Sequence, residues 1–140
     1  MEKHDVRFWL VAAAVLVLDR ISKLLVVAYV PLGQPGFITH ILNTGTAFGL
    51  FKSAHYIIMA ISVLVIIFLA LKHANYKTPF LLGLVMGGAA GNLVDRVWYG
   101  AVIDFIDVGV WPVFNIADSA ITCAVVGLFV SDLLSKRRKI

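Results

Sequence analysis

Four long apolar runs constrain this chain more than any other feature. They cover residues 8–30, 54–71, 80–97 and roughly 117–134. A helix needs about 20 mostly apolar residues to cross the hydrocarbon core of a bilayer. Of the 140 residues, 61% are hydrophobic and 14% are charged. Soluble domains run at about 45–50% and about 25%. An ordinary soluble fold is therefore excluded, and so is disorder, which needs the opposite balance. The first run is too long for a signal-peptide core, and no small-residue cleavage site follows it. The runs predict an all-α membrane protein of four spans.

Pro31, Gly33, Pro35 and Gly36 break the first helix. Residues 37–42 read as a short strand, and Asn43-Thr44-Gly45-Thr46 is rich in turn formers. Residues 72–78 form a polar connection leading to Pro79, a favourable first residue of a helix. Gly83, Gly87 and Gly91 repeat every fourth position, which lines one helical face with small residues and lets another helix approach. Gly100 marks a turn, and residues 101–106 read as a strand or edge segment. With no internal repeat and no linker, residues 1–140 form one domain.

Charge sets the expected orientation. Lys3, Arg7, Lys72, Lys77 and the tail Lys136-Arg137-Arg138-Lys139 all fall on one side of a four-span topology. The other side holds Lys52, with Arg96 at a membrane edge. By the positive-inside rule both termini face the cytoplasm. The net charge of +4 is then a topology signal attracted to anionic headgroups, with no nucleic-acid partner implied. The single cysteine, Cys123, rules out an internal disulfide and a Cys-based metal cluster, and reads as a small apolar residue.

The ionisable groups gather at one depth. Asp19 lies just past the middle of the first span, and Lys23, four residues on, shares its face and can pair with it. Arg20 lies beside them. Asn92, Asp95 and Arg96 close the third span at its outer end. Asn115 and Asp118 open the fourth, and Asp104 and Asp107 lie in the outer connection. Ion pairing of Asp19 with Lys23 and of Asp95 with Arg96 is the structural reading of part of this set. Asp104 and Asp118 are then left with no cationic partner except Arg20. Unpaired carboxylates at a membrane boundary are functional candidates.

Two acids sharing a site do not both ionise easily, so one keeps a proton while its neighbour stays charged. The charged acid draws a proton from water, and the protonated one polarises a carbonyl. Asp118 follows Asn115, an expected N-cap, by three residues, so the helix dipole favours its charged form. Asp104 lies in the apolar Val102-Ile103-Asp104-Phe105-Ile106, which favours its neutral form. Asp118 is thus the expected base and Asp104 the expected acid. Other chemistries fit less well. The chain has no H-E-x-x-H and no G-x-S-x-G. Nothing in the spacing singles out a Ser119–Lys23 pair. His40, His55 and His73 are too scattered for a metal site, and His55 with Tyr56 reads as an interfacial anchor.

The motif set resembles the lipoprotein signal peptidase (signal peptidase II) family. The matching segments are Asp19-Arg20-Ile21-Ser22-Lys23, Asn43-Thr44-Gly45-Thr46-Ala47-Phe48-Gly49 and Gly91-Asn92-Leu93-Val94-Asp95-Arg96. Val102-Ile103-Asp104-Phe105-Ile106 and Phe114-Asn115-Ile116-Ala117-Asp118-Ser119 follow in order. Each is weak alone, but the ordered set is specific and covers nearly the whole chain. The resemblance implies a membrane aspartic endopeptidase of the bacterial cytoplasmic (inner) membrane. It would remove the signal peptide from prolipoproteins just before a diacylglyceryl-modified Cys, without metal or cofactor, as a monomer among membrane lipid.

Carried over by motif, Asp104 and Asp118 are the catalytic pair. Asn43, Asn92, Asp95, Arg96 and Asn115 are a polar shell that holds substrate and orients the pair, and Asp19 with Lys23 is a supporting pair. The resemblance also implies a small extracytoplasmic β-sheet cradle, here from residues 37–49, 101–106 and 111–114, and a short outer helix. Thr46 and Ser22 stand where the family commonly has Ala and Thr, and the 104–118 connection is short. Asp107 falls outside the matched core and reads as a solvated loop residue.

The rival reading is a small proton-coupled transporter or channel subunit, since intramembrane charges mark such paths too. A path through the membrane needs charges on both sides of the midplane, and here they gather on one. A structural assembly subunit would use the glycine face but would leave the acids unexplained.

Overall fold

The computed structural model describes residues 3–45 and 52–137. Four helices dominate: α1 (Lys3–Tyr29), α2 (Lys52–Lys72), α3 (Pro79–Tyr99) and α4 (Ile116–Arg137). Each extends past its apolar run at one end or both. Once a helix is nucleated, each further residue adds a hydrogen bond for little cost, so it continues into polar flanks until a breaker stops it. Gly100, at φ 68°, ends α3 in the left-handed conformation, and its N–H bonds back to Arg96 O.

The helix α3 packs against each of the other three. The expected small-residue face is its contact with α1. A Cβ at Gly83 would lie 2.7 Å from Phe8 O, one at Gly87 2.5 Å from Ala12 O, and one at Gly91 2.5 Å from Asp19 Oδ2. Gly88 plays the same part toward Ala117 of α4. The glycines thus let two backbones approach α3 closely and bring Asp19 against it.

The polarity of the bundle is inverted relative to a soluble protein. Asp19, Lys23 and Asp95 are fully buried, while Leu18, Leu24, Leu64, Leu71 and Phe129 are exposed. By length and composition α2, α3 and α4 qualify as membrane-crossing helices. These features make the chain a multi-pass integral membrane protein.

A two-stranded antiparallel sheet caps the end of the bundle where α1 and α3 stop and α4 starts. Strand β1 (Ile38–Asn43) pairs with β2 (Val102–Ile106), with Ile41 opposite Asp104 and Asn43 opposite Val102. Phe114 adds one bridge to Ile106, so the 111–114 stretch contributes a single pairing in place of a strand. Ile103 and Phe105 point down onto Val26 and hold the sheet to the bundle. The one short helical turn among the described residues, His73–Asn75, lies in the α2–α3 connection, where His73 stacks on Phe8 at 4.0 Å. Residues 46–49 of the loop motif, Thr46 among them, lie outside the described residues, which hold no short outer helix.

Candidate active site

At the sheet end the buried polar groups sort into two linked layers. The deeper layer is built on Lys23, which is fully buried. Its Nζ lies 2.8 Å from Asp19 Oδ2, 2.7 Å from Asp95 Oδ2 and 3.0 Å from Asn92 Oδ1. An ammonium has three protons to donate, and three oxygens surround this one. Arg20 Nη2 reaches Asp95 Oδ1 at 2.5 Å. Two carboxylates therefore meet two cations, which is what makes charge tolerable at this depth.

The expected Asp19–Lys23 pair is present, but the expected Asp95–Arg96 pair is not. Asp95 takes Lys23 and Arg20 instead, because adjacent residues on a helix point in different directions while α1 presents both cations across the glycine contact. Arg20, the one cation that linear spacing leaves for Asp104 and Asp118, is engaged by Asp95 instead. Its three-residue spacing from Lys23, which places both on one face, was the available signal.

The same carboxylates pin the elements above them. Asp19 Oδ1 accepts from Ala117 N at 3.0 Å, in the first turn of α4, and Asp95 Oδ2 accepts from Ile103 N at 3.1 Å, in β2. The ion cluster thus fixes the two segments that carry Asp104 and Asp118.

The upper layer holds those two acids. Asp104 is buried, and Asp118 is partly open. Asn115 links them. Its Nδ2 donates to Asp104 Oδ1 at 2.7 Å, its Oδ1 accepts from Asp118 N at 2.9 Å, and its N donates to Asp118 Oδ2 at 3.3 Å. The last two bonds form a reciprocal capping box, so the expected N-cap is present. Asn92 Nδ2 donates to Asp118 Oδ1 at 2.8 Å, and Asn43 Nδ2 donates to Asp104 Oδ2 at 2.8 Å. Asn43 reaches Asp104 because Ile41 and Asn43, two apart on β1, share the face on which Asp104 lies.

The three amides obey one rule. Each carbonyl oxygen is already occupied by a donor: Asn43 by Gly45 N, Asn92 by Lys23 and Asn115, and Asn115 by Asp118 N. Only the NH2 ends remain to face the carboxylates. Every described amide in the shell is thereby aimed at Asp104 or Asp118.

Burial pushes the Asp104 carboxyl up to about 6, and the charge of Asp118 adds to that rise against the pull of the Asn43 and Asn115 hydrogen bonds. Arg96, and not Arg20, is the cation facing the acids. It makes no ion pair among the described residues, its Nε is buried without a partner, and Asp118 and Asp104 lead its electrostatic contacts. One positive charge beside two acids favours a state with a single proton on the acids. Asp107 turns away, with its Oδ1 accepting from Gly109 N at 2.8 Å in an exposed loop.

Two grooves open on either side of the acids. One runs past Asp104 along the end of β1, lined by Leu42, Asn43, Thr44, Pro112 and Val113. The other runs from Asp118 down α4 past Ser119, Thr122 and Cys123, roofed by Trp111 and Phe114. No cluster of three or more His, Cys, Asp or Glu side chains able to hold a metal occurs among the described residues.

Comparison with known proteins adds an independent line. The family model described as signal peptidase (SPase) II matches residues 11–134. A lipoprotein signal peptidase of Syntrophomonas wolfei is 43% identical, covering 95% of this chain and 97% of its own. One from Shouchella clausii is 41% identical over 93% of this chain and 94% of its own. A solved bacterial membrane enzyme superposes with a TM-score of 0.81 at 29% identity, covering 94% of this chain and 90% of that one.

Proposed function

The chain belongs to the signal peptidase II family, and from that premise we propose that Asp104 and Asp118 are its catalytic pair. The activity is that of a membrane aspartic endopeptidase acting on prolipoproteins, which removes the signal peptide before the diacylglyceryl-modified Cys. The observation that carries the residue assignment is the single Asn115 side chain bonded to Asp104 and to the Asp118 backbone.

Asp118, charged and capped at the start of α4, takes a proton from a water molecule. That water attacks the scissile carbonyl carbon while Asp104 gives its proton to the carbonyl oxygen. The tetrahedral intermediate collapses, the Asp118 proton passes to the departing amine, and Asp104 regains its own. Asn43, Asn92 and Asn115 hold the two carboxyls in place. Arg96 balances the remaining negative charge, and Asp95 with the Asp19–Lys23 pair fixes the segments beneath. No metal or other cofactor enters the scheme.

Four spans in one domain suit this chemistry. α1 carries Asp19, Arg20 and Lys23, yet Asp19 and Lys23 are turned inward and neutralised, so its outer face presents Leu18, Ile21, Leu24 and Leu25. The cationic flanks support a reading with both termini in the cytoplasm and the sheet outside the bacterial cytoplasmic membrane. An active site at that boundary meets the peptide bond while the acyl chains stay in lipid, and one monomer supplies every residue named. A transporter reading has no support in the buried charges, which cluster at one end of the bundle.

The deciding experiment is cleavage of a purified diacylglyceryl-modified precursor in vitro by the parent, Asp104→Asn and Asp118→Asn. Loss of cleavage in both variants, with normal membrane insertion, is the expected result. Full turnover by either would end the assignment.

A further inference from the structure

The groove on the α4 side of Asp118 differs in kind from the groove on the β1 side. The β1 groove offers a strand edge and the Asn43 amide, which suits a peptide backbone whose N–H and C=O groups need partners. The α4 groove offers no strand edge, and beyond Asp118 and Ser119 its polar side-chain groups are the Thr122 hydroxyl and the Trp111 indole N–H. The Ser119 hydroxyl already donates to Asn115 O at 2.9 Å. Trp111 and Phe114 give aromatic walls, and Thr122 and Cys123 give a shallow floor. A peptide laid there would leave most of its polar groups unpaired, whereas a hydrocarbon chain has none to pair.

The floor positions Asp118, Ser119, Thr122 and Cys123 follow helical spacing, so they form one stripe along α4. The stripe begins at a catalytic carboxylate and descends about 7.5 Å toward the bilayer interior at Cys123. It is open along its length, since Thr122 and Cys123 are both exposed. A chain can therefore enter sideways from lipid.

We propose that the α4 trough formed by Ser119, Thr122 and Cys123 under Trp111 and Phe114 seats one acyl chain of the diacylglyceryl Cys. This rests on the reading of the chain as a lipoprotein signal peptidase. The trough meets Asp118 directly, so a chain lying in it sets the distance between the modified Cys and the acids. Lipid modification is thereby recognised by hydrocarbon burial next to the base, and the peptide is held separately on the β1 side.

The test uses the full-length enzyme with two synthetic precursors of one peptide sequence, carrying dipalmitoyl- or dibutyrylglyceryl groups. Thr122→Phe and Cys123→Phe fill the lower trough. Each is expected to raise KM for the dipalmitoyl precursor by about tenfold or more, the worth of a few buried methylenes, and to change KM for the dibutyryl precursor less than threefold. Leu64→Phe, on the exposed face of α2, places the same ring elsewhere and should match the parent on both.

In parallel, the dipalmitoyl precursor should slow alkylation of the native Cys123 by a membrane-permeant maleimide in an Asp104→Asn background, and the dibutyryl precursor should not. Equal losses on both precursors would assign the groove to the peptide and overturn the proposal. Unchanged KM values would overturn it as well. If the parent enzyme cleaves neither precursor, the functional reading itself has failed, which is a separate outcome.

Discussion

Asn115 and Asp118 cap one another: the Asn115 side-chain oxygen accepts from Asp118 N at 2.9 Å, and Asp118 Oδ2 accepts from Asn115 N at 3.3 Å. A helix N-terminus and a carboxylate of the proposed catalytic pair are thus held by the same pair of bonds. Asn115→Ala should lose about 0.5–2 kcal/mol of stability with the cap and about 100-fold in kcat/KM with the bridge to Asp104. Asn115→Ser separates the two effects. Serine caps as well as asparagine but is too short to reach Asp104, so thermal unfolding in detergent should return close to the parent while activity stays low.

Asp104→Asn and Asp118→Asn should each lower cleavage by a factor of about 1,000 or more, since each removes one half of a proton-transfer pair. Asp107→Asn should keep most activity, because its carboxylate is bonded to Gly109 N in an exposed turn. A metal chelator should leave the parent rate unchanged. The readout is the cleavage rate of modified precursor in detergent or vesicles.

The Asp104 carboxyl, held at about 6 mainly by burial, gives a signed pH dependence. Its folded value lies above the unfolded one, so its favourable contribution is complete below about pH 4 and is lost as pH rises through about 6. Above that pH the parent keeps a buried carboxylate that Asp104→Asn lacks. The variant escapes that penalty but turns its own NH2 toward the Asn43 or Asn115 amide, so the stability difference should shift in its favour by roughly 1–3 kcal/mol as pH rises from about 4 to above about 6. In the parent, kcat/KM should fall as pH rises past the same region, where the free enzyme loses its acid. Thermal unfolding and initial rates across pH 4–8 check both, the range bracketing ordinary and raised carboxyl values.

Lys23→Met should cost about 3–5 kcal/mol, because it leaves two buried carboxylates with Arg20 as their one cation. Adding Asp19→Asn removes one stranded charge and should restore part of that loss, so the two changes should be strongly non-additive in unfolding measurements. Activity should remain reduced in the double variant, since the Asn92 carbonyl oxygen has lost one of its two donors and is held by Asn115 alone.

Gly87→Ala and Gly100→Ala should rank clearly. At Gly100 a side chain meets open space and only the left-handed backbone is strained, a cost of about 1–2 kcal/mol. At Gly87 a Cβ would lie 2.5 Å from Ala12 O, so α1 must move off α3 and carry Lys23 with it. Gly87→Ala should show the larger drop in Tm and should also lose activity, while Gly100→Ala loses stability alone.

Much of this protein is determined by sequence order itself. Apolar runs of spanning length, breakers between them and a one-sided cationic bias are local properties, and each depends only on neighbours along the chain. The same is true of Asn115 as a cap, since Asp118 is three residues away. The glycine repeat on α3 and the Asp19–Lys23 pair also follow from helical periodicity. The ordered motifs carry Asp104 and Asp118 as acids.

Tertiary structure decided who meets whom. The partner of Asp95 is Lys23 on another helix, because the glycine contact brings α1 and α3 together and helix geometry turns Arg96 toward the acids. The aim of the three asparagine amides depends on donors drawn from distant segments. The separation of a polar groove from an apolar one depends on where Trp111 and Phe114 fold back over α4. Buried charges have no solvent to screen or satisfy them, so their partners are chosen by packing across the whole bundle, and linear spacing carries no record of that choice.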